Sequence, residues 1–182
     1  MMLNTIKNVS NTRHAQRGAA AVEFAIIAML LFTVLFGIIE FGRLFYVINT
    51  VQEVTRRAAR EAVVRWVDNS NTSQAKRIAL FSRASLPAGA EITAVNIDIK
   101  YLTASGGVPN PFPDSATKNI SACLTEPAGC IALVQVSIIN APYTPSEPYA
   151  YYVPMVRLFP FLRLRIPAST VTMPAESLGY SG

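Results

Sequence analysis

A glycine and a glutamate mark the start of the longest apolar run in the sequence. Gly18 is followed by three alanines and a valine, then by Glu23 and Phe24, and a basic residue, Arg17, precedes the glycine. A carboxylate at mid-membrane costs on the order of 3 kcal/mol on insertion scales, and less near the interface. One explanation of Glu23 is an interfacial carboxylate at a helix start, where the helix dipole favours negative charge. The alternative is a specific role for the spacing between Gly18 and Glu23.

Two cysteines are the second place where chemistry could occur. Cys123 and Cys130 enclose a short segment with a turn-forming Glu-Pro-Ala-Gly stretch. They could form a disulfide, remain free buried thiols or take part in a metal site. The single histidine of the chain, His14, lies near the N-terminus, so zinc would lack ligands. In an oxidising compartment a disulfide is favoured, and loop-closure arithmetic gives it roughly 2–3 kcal/mol.

The sequence offers little for catalysis. No histidine follows His14, and we find no Gly-x-Ser-x-Gly motif, no phosphate-binding loop and no cluster of carboxylates. We therefore expect no enzymatic activity, no catalytic residue, no cofactor and no metal. A membrane-anchored hydrolase is a remote alternative.

The composition indicates a membrane protein. Hydrophobic residues make up 51% of the chain and charged residues 15%, whereas about 25% of residues are charged in an ordinary globular chain. Residues 1–18 contain no acid, and they hold Lys7, Arg13 and Arg17, three of the 16 basic side chains. The other 13 face 11 acidic ones, so the net charge of +5 belongs largely to the N-terminus. We therefore expect no nucleic-acid partner.

A membrane-spanning helix is predicted after the basic segment. Residues 24–39 carry no charge and cover roughly 24 Å at 1.5 Å per residue, and their apolar flanks supply the rest of a bilayer thickness. No small-residue cleavage pattern of a signal peptide follows. No proline occurs before Pro87, and one apolar face continues beyond the membrane, which predicts a single helix over residues 20–67. The residues of that face are Leu44, Val47, Val51, Val54, Ala58, Ala62 and Trp66.

The remaining residues predict a small domain. Residues 68–73 indicate a break, and residues 74–84 a second, short amphipathic helix with Ile78, Leu80 and Phe81 as its apolar contacts. Alternation with a period of two predicts three strands, which form a small, mostly antiparallel sheet. These strands are residues 91–102, 131–140 and 161–173. The apolar stretch from Met155 to Leu162 is predicted either as a short helix or as a loop on the membrane.

The fold class predicted from these elements is α+β, with a long N-terminal transmembrane helix continuing into a small antiparallel-sheet periplasmic domain. Three regions follow. They are a cytoplasmic leader peptide at residues 1–18, a transmembrane and extended helix at residues 19–67, and a periplasmic α+β domain at residues 68–182.

The Gly-x-x-x-x-Glu-Phe pattern after a basic leader resembles the processing site of type IV-like prepilins. The resemblance implies that a prepilin peptidase cuts the Gly18–Ala19 bond on the cytoplasmic side, so that Ala19 becomes the new N-terminus. Glu23 would then be the fifth mature residue, and it could neutralise the terminal ammonium of a neighbouring subunit and set the axial register. Major type IV pilins usually have Phe or Met after the cut, whereas this chain has Ala19, which suits the Flp/Tad branch.

The stretches "RGAAAVEFA" and "FGIIEFGRLFY" closely resemble TadE-like proteins, the minor pseudopilins of tight-adherence (Tad/Flp) pilus systems. The resemblance covers Arg17 to about Arg60 and implies a role in assembly of an adhesion or secretion pilus. The implied partners are the prepilin peptidase, other pseudopilins, pilus platform proteins and the lipid bilayer. The alternative is an uncleaved, signal-anchored membrane protein whose periplasmic domain binds a partner or ligand.

Four residues near the end of the apolar run are candidates for helix packing: Gly37, Glu40, Gly42 and Arg43. The simpler explanation of Glu40 and Arg43 is an i,i+3 pair at the outer interface, and the glycines are equally well explained as tolerated membrane-helix glycines. Arginines flank the run on both sides, so counting them does not assign its orientation. The processing motif and the cysteine pair favour a single-pass protein of the inner membrane, with a cytoplasmic N-terminus and a periplasmic or extracellular C-terminal domain.

Overall fold

A computed structural model describes residues 5–156, 158–167, 169–176 and 178–179, so residues 1–4 of the predicted leader lie outside the described part. The chain divides into two compact units, Met1–Gly42 and Arg43–Gly182. The predicted α+β class, with a long apolar N-terminal helix and a small antiparallel domain, is confirmed.

Helix α1 spans Thr5–Val64, and thus begins well before residue 20, where the sequence analysis placed its start. The basic segment contains no proline, and the single glycine, Gly18, is tolerated inside a helix at about 1 kcal/mol relative to alanine. One helix in the described part of the chain, Gly18–Val64, is long and apolar enough to cross a membrane.

In the first unit, the apolar side chains of α1 lie on the surface. Phe24 is 73% exposed, Ile38 68% and Ile27 65%, as expected of side chains whose natural surroundings are lipid. The helix is therefore compatible with a single-pass membrane protein.

In the second unit, α1 supplies the buried centre of the domain. The predicted apolar face is confirmed: its first six residues, Leu44 to Ala62, are at most 4% exposed. The seventh, Trp66, lies beyond the helix end at Val64 and is half-buried. Two ion pairs, Glu53–Arg57 and Glu61–Arg65, form along the same helix, at 2.8 and 3.0 Å.

Helix α2 spans Asn69–Ala79, so it begins and ends about five residues before the predicted range. Asp68 caps it, because its carboxylate accepts a hydrogen bond from the Asn71 N–H at 2.6 Å. The helix cannot continue through Phe81 and Ser82, whose φ angles of 57° and 59° are left-handed. Of the three predicted apolar contacts, Leu80 is buried, Ile78 is half-buried and Phe81 is exposed.

Two antiparallel sheets follow. Strands β1 (Ser85–Leu86) and β2 (Gly89–Thr93) form a small hairpin. Strands β3 (Ile97–Leu102), β4 (Leu133–Ile138) and β5 (Thr170–Pro174) form a three-stranded sheet in the order β3-β4-β5. The predicted strand at residues 131–140 is therefore confirmed as β4.

The prediction of one strand over residues 91–102 is wrong, because a 3₁₀ turn at Ala94–Asn96 separates β2 from β3. The side-chain oxygen of Asn96 accepts a hydrogen bond from the Thr93 N–H at 2.9 Å, and its amide donates to the Ile139 carbonyl at 3.1 Å. These bonds hold the chain in a bend that ends β2 and begins β3 in a different sheet.

The third predicted strand, residues 161–173, is also mostly wrong. Its only strand is β5, which begins at Thr170, and Leu162 belongs to a 3₁₀ turn, Pro160–Leu162. Leu162 and Ile166 are buried, whereas Leu164 is 44% exposed. A third helix, α3 (Ala116–Thr125), which the sequence analysis did not predict, is capped by the Ser115 hydroxyl and lies between β3 and β4.

Candidate functional site

The predicted processing segment lies on the surface of α1. Gly18, the three alanines after it and Glu23 are all exposed. A side chain added at Gly18 would meet no atom within 4 Å. Both residues of the Gly-to-Glu pattern are therefore accessible on the surface of the helix.

The four packing candidates differ in their surroundings. Gly42 has no atom within 4 Å of the position of an added Cβ, and Gly37 is partly exposed. Gly42 thus leaves room for a close neighbour. Glu40 is 2% exposed, so its carboxylate is buried.

Arg43 is the best-defined polar centre of the second unit. Its Nη2 lies 3.0 Å from Oε2 of Glu91 in β2. Its Nε donates to the Ala88 carbonyl at 2.7 Å, and its Nη1 donates to the Val153 carbonyl at 2.9 Å. The guanidinium also lies over the ring of Tyr152, 4.7 Å from its centroid.

These contacts join two distant parts of the chain, residues 88–91 and residues 152–153, to one point of α1. The side chains of Arg43 and Glu91 are only 11% and 10% exposed, so the pair is largely shielded from water. The planar guanidinium can satisfy a carboxylate and two carbonyls at once, which a lysine could not do. The sequence analysis placed Arg43 at the outer interface but missed Glu91, since a separation of 48 residues leaves no periodic signal.

The cysteine pair links α3 to the turn that follows it, since Cys123 belongs to the helix and Cys130 comes directly after the turn Pro127–Gly129. Cys123 and Cys130 are joined in a disulfide, with a Cα–Cα distance of 4.6 Å. The buried side chain of Asn119 holds the same turn, accepting from the Ile131 N–H at 2.8 Å and donating to the Ile131 carbonyl at 3.3 Å. The bridge therefore stabilises the return of the chain from α3 into β4.

Within the part of the chain that the structure describes, no group of three or more His, Cys, Asp or Glu side chains is placed to hold a metal ion. Arg43 and its partners form a structural junction, and they contain no nucleophile paired with a base.

A long apolar helix, exposed along its first unit and joined to a small α+β unit, defines a candidate single-pass membrane protein. Residues 18–60 match the model of the family described as TadE-like protein. This match confirms the resemblance found in the sequence, and it is consistent with a TadE-like protein of the Tad pilus system. The matched segment begins at Gly18 and contains Glu23, all four packing candidates and five of the seven residues of the apolar face, Leu44 to Ala58. Comparisons with curated proteins and with solved structures gave no significant match.

Proposed function

We propose that this chain is a minor pseudopilin that takes part in assembly of a Tad/Flp-type pilus after a prepilin peptidase removes residues 1–18. The observation that carries the proposal is the match to TadE-like proteins, which starts at Gly18, the residue before the proposed cut. The chain itself performs no catalytic step and needs no cofactor, because the bond is hydrolysed by the peptidase.

The cut would fall at a point where the helix is easily opened. Gly18 lowers helix stability by about 1 kcal/mol relative to alanine, and among the described residues no atom lies within 4 Å of a Cβ added to it. A membrane peptidase on the cytoplasmic side could therefore bind the Gly18–Ala19 bond without unfolding the rest of the protein. The cut also removes Lys7, Arg13 and Arg17, the basic residues that favour a cytoplasmic N-terminus.

After the cut, Glu23 would become an assembly residue. The new ammonium at Ala19 and the exposed carboxylate of Glu23 lie at the start of the apolar helix, where each charge is costly in lipid. Pairing the ammonium of one subunit with the carboxylate of the next offsets part of that cost and favours one axial register between neighbouring helices. Partner pseudopilins and platform proteins would then pack on the exposed apolar residues of α1, where Gly37 and Gly42 permit close approach.

In this proposal the protein crosses the inner membrane once. Its N-terminus is cytoplasmic, and its second unit is periplasmic or extracellular. The arginines after the apolar run do not oppose that orientation as strongly as their number suggests. Arg43, Arg57 and Arg65 are engaged with Glu91, Glu53 and Glu61 inside the second unit.

Mass spectrometry of the mature N-terminus tests the proposal. In cells with an active prepilin peptidase, the membrane-extracted protein should begin with the sequence AAAVEF. Gly18→Asp should retain residues 1–18 and migrate as a larger protein. Gly42→Ala is the matched control, because Gly42 lies in the same helix and also has free space around it; this variant should be cut normally. An intact leader in the unmodified protein would refute the processing role and favour an uncleaved signal anchor.

A further inference from the structure

A row of large apolar side chains projects from the loop that follows the Arg43 junction. We call it the loop surface, and it consists of Val153, Met155, Leu158, Phe161 and Leu164. Met155 is 75% exposed and Phe161 66%. Burial of such side chains is favourable, so five exposed ones in one loop indicate a surface that is covered in the natural setting.

The loop surface is held in place from within. Residues that alternate with it along the chain, Tyr152, Phe159, Leu162 and Ile166, are at most 8% exposed. The Tyr152 N–H donates to the Leu164 carbonyl at 2.9 Å, and the Ile166 N–H donates to the Ala150 carbonyl at 2.9 Å. The direction of the exposed side chains is therefore fixed, and they cannot turn into the core of the unit.

The position of this surface along α1 points to its occupant. The Arg43 guanidinium binds the Val153 carbonyl and covers Tyr152, so the loop begins beside Arg43. In the sequence, Arg43 comes four residues after the uncharged run ends at Ile39, about 6 Å of helix. If that run spans the bilayer, Arg43 is where the chain enters the second unit from the membrane, and the loop surface begins at Val153, the residue whose carbonyl Arg43 binds.

The neighbouring residues have the composition of a membrane interface. Phe45 and Tyr46 are 62% and 47% exposed on α1, as in the aromatic belts that flank spanning helices. Two exposed arginines, Arg163 and Arg165, belong to the loop itself. A third, Arg83, is also exposed and lines a cavity together with Arg43 and Met155. An apolar row with a basic margin is the pattern that binds anionic lipid surfaces.

We infer that Met155, Leu158 and Phe161 insert into the lipid surface on the side of the second unit and hold this unit down against the membrane. The inference depends on the membrane-spanning helix but not on leader cleavage, and it goes beyond the proposed pilus role. It gives the domain a second attachment besides α1, which restricts the domain's tilt relative to the bilayer before any partner binds.

Tryptophan fluorescence in liposomes tests this inference on the full chain. Trp66 is the only tryptophan, so Trp66→Phe gives a silent background into which Phe161→Trp or Leu158→Trp is introduced. The matched control is Leu124→Trp, on α3, where the side chain is 81% exposed. This control site lies at the end of β3 and β4 that is far from the loop. That end is near Val63 of α1, because two consecutive residues connect them. The Ala175 N–H donates to the Ala132 carbonyl, and the Glu176 N–H donates to the Val63 carbonyl.

The proteins are reconstituted in phosphatidylethanolamine and phosphatidylglycerol vesicles with acyl chains brominated near the glycerol. Quenching of the tryptophan at 161 and at 158 by roughly twofold, with a blue-shifted emission, is expected for insertion of about 5–10 Å, and the tryptophan at 124 should be unaffected. The same quenching should occur in uncleaved Gly18→Asp protein, which separates this result from the pilus proposal. Equal quenching at the loop and control sites, whether weak or strong, would overturn the inference, because lipid would not then contact the loop selectively. Near-ultraviolet circular dichroism checks that each variant is folded.

Discussion

The ion pair between Arg43 and Glu91 should be the most sensitive polar contact of the second unit. Arg43→Met keeps an unbranched apolar side chain of similar length but removes the charge and the hydrogen-bond donors. It leaves the Glu91 carboxylate without that cation and deprives the Ala88 and Val153 carbonyls of their donors. We expect a large loss of stability and a loosening of the loop that begins at Val153.

The expected magnitude follows from burial. Both side chains of the pair are about nine-tenths shielded, at 11% and 10% exposure. Removing one partner of a buried pair typically costs about 3–5 kcal/mol, because the remaining charge is left uncompensated. Glu91→Met should cost less, because the guanidinium keeps its hydrogen bonds to the Ala88 and Val153 carbonyls. The double variant should cost clearly less than the sum of the two, since neither charge then remains.

The assay is urea unfolding of the full chain in detergent micelles, followed by the fluorescence of Trp66, which is half-buried at the end of α1. The control is Lys118→Met, which breaks the exposed pair of Lys118 with Asp114, whose side chains are 66% and 75% exposed. The Lys118 ammonium lowers the pKa of Asp114 by a hydrogen bond and by its charge, but solvent screening leaves such an exposed pair with little effect on stability.

The reasoning is refuted if Arg43→Met lowers the free energy of unfolding no more than Lys118→Met does. Exact additivity of Arg43→Met and Glu91→Met would also contradict it, because it would mean that the two groups do not interact. If a variant changes the slope of the unfolding free energy with urea, it changes the surface area that unfolding exposes. The urea concentrations at the unfolding midpoints must then be compared as well.

Two further predictions concern the cysteines and Glu23. Peptide mapping without reduction should find Cys123 linked to Cys130, and reduction should lower stability by roughly 2–3 kcal/mol; full alkylation of both thiols before reduction would contradict the bridge and the extracytoplasmic placement. Glu23→Gln and Glu23→Ala should reduce pilus assembly and partner cross-linking to a similar degree, roughly ten- to hundredfold, if one membrane ion pair of about 1–3 kcal/mol is lost. Leader cleavage should persist in both variants, and wild-type assembly in Glu23→Gln would restore the explanation of Glu23 as an interfacial carboxylate.

The helical part of the fold was predictable because its signal is local. The buried face from Leu44 to Ala62 recurs at steps of three and four, and such a pattern depends only on the period of the helix. The same holds for β4, where alternate residues are buried from Val134 to Ile138. The helix start was misplaced because polarity was taken to end the helix, although nothing in residues 5–17 breaks one.

The failures share a different physical cause. The bend between β2 and β3 depends on the amide of Asn96 reaching the Ile139 carbonyl, 43 residues away, and a local pattern contains no trace of that bond. Residues 161–167 alternate between buried and exposed side chains without forming a strand of the main sheet. Their alternation arises because the segment packs Leu162 and Ile166 inward on the core and joins Tyr151 only through a single bridge at Arg165.

Arg43 combines a position that the sequence predicts with a structural role that only the folded chain shows. The sequence places this residue where the uncharged run ends, and the structure ties it to β2 and to the loop at Val153. The apolar run fixes where Arg43 lies along α1, but its partners Glu91 and Val153 lie 48 and 110 residues away. A local pattern predicts the position of a charged residue, whereas only the folded chain shows that this cation joins β2 and the loop at Val153 to the helix.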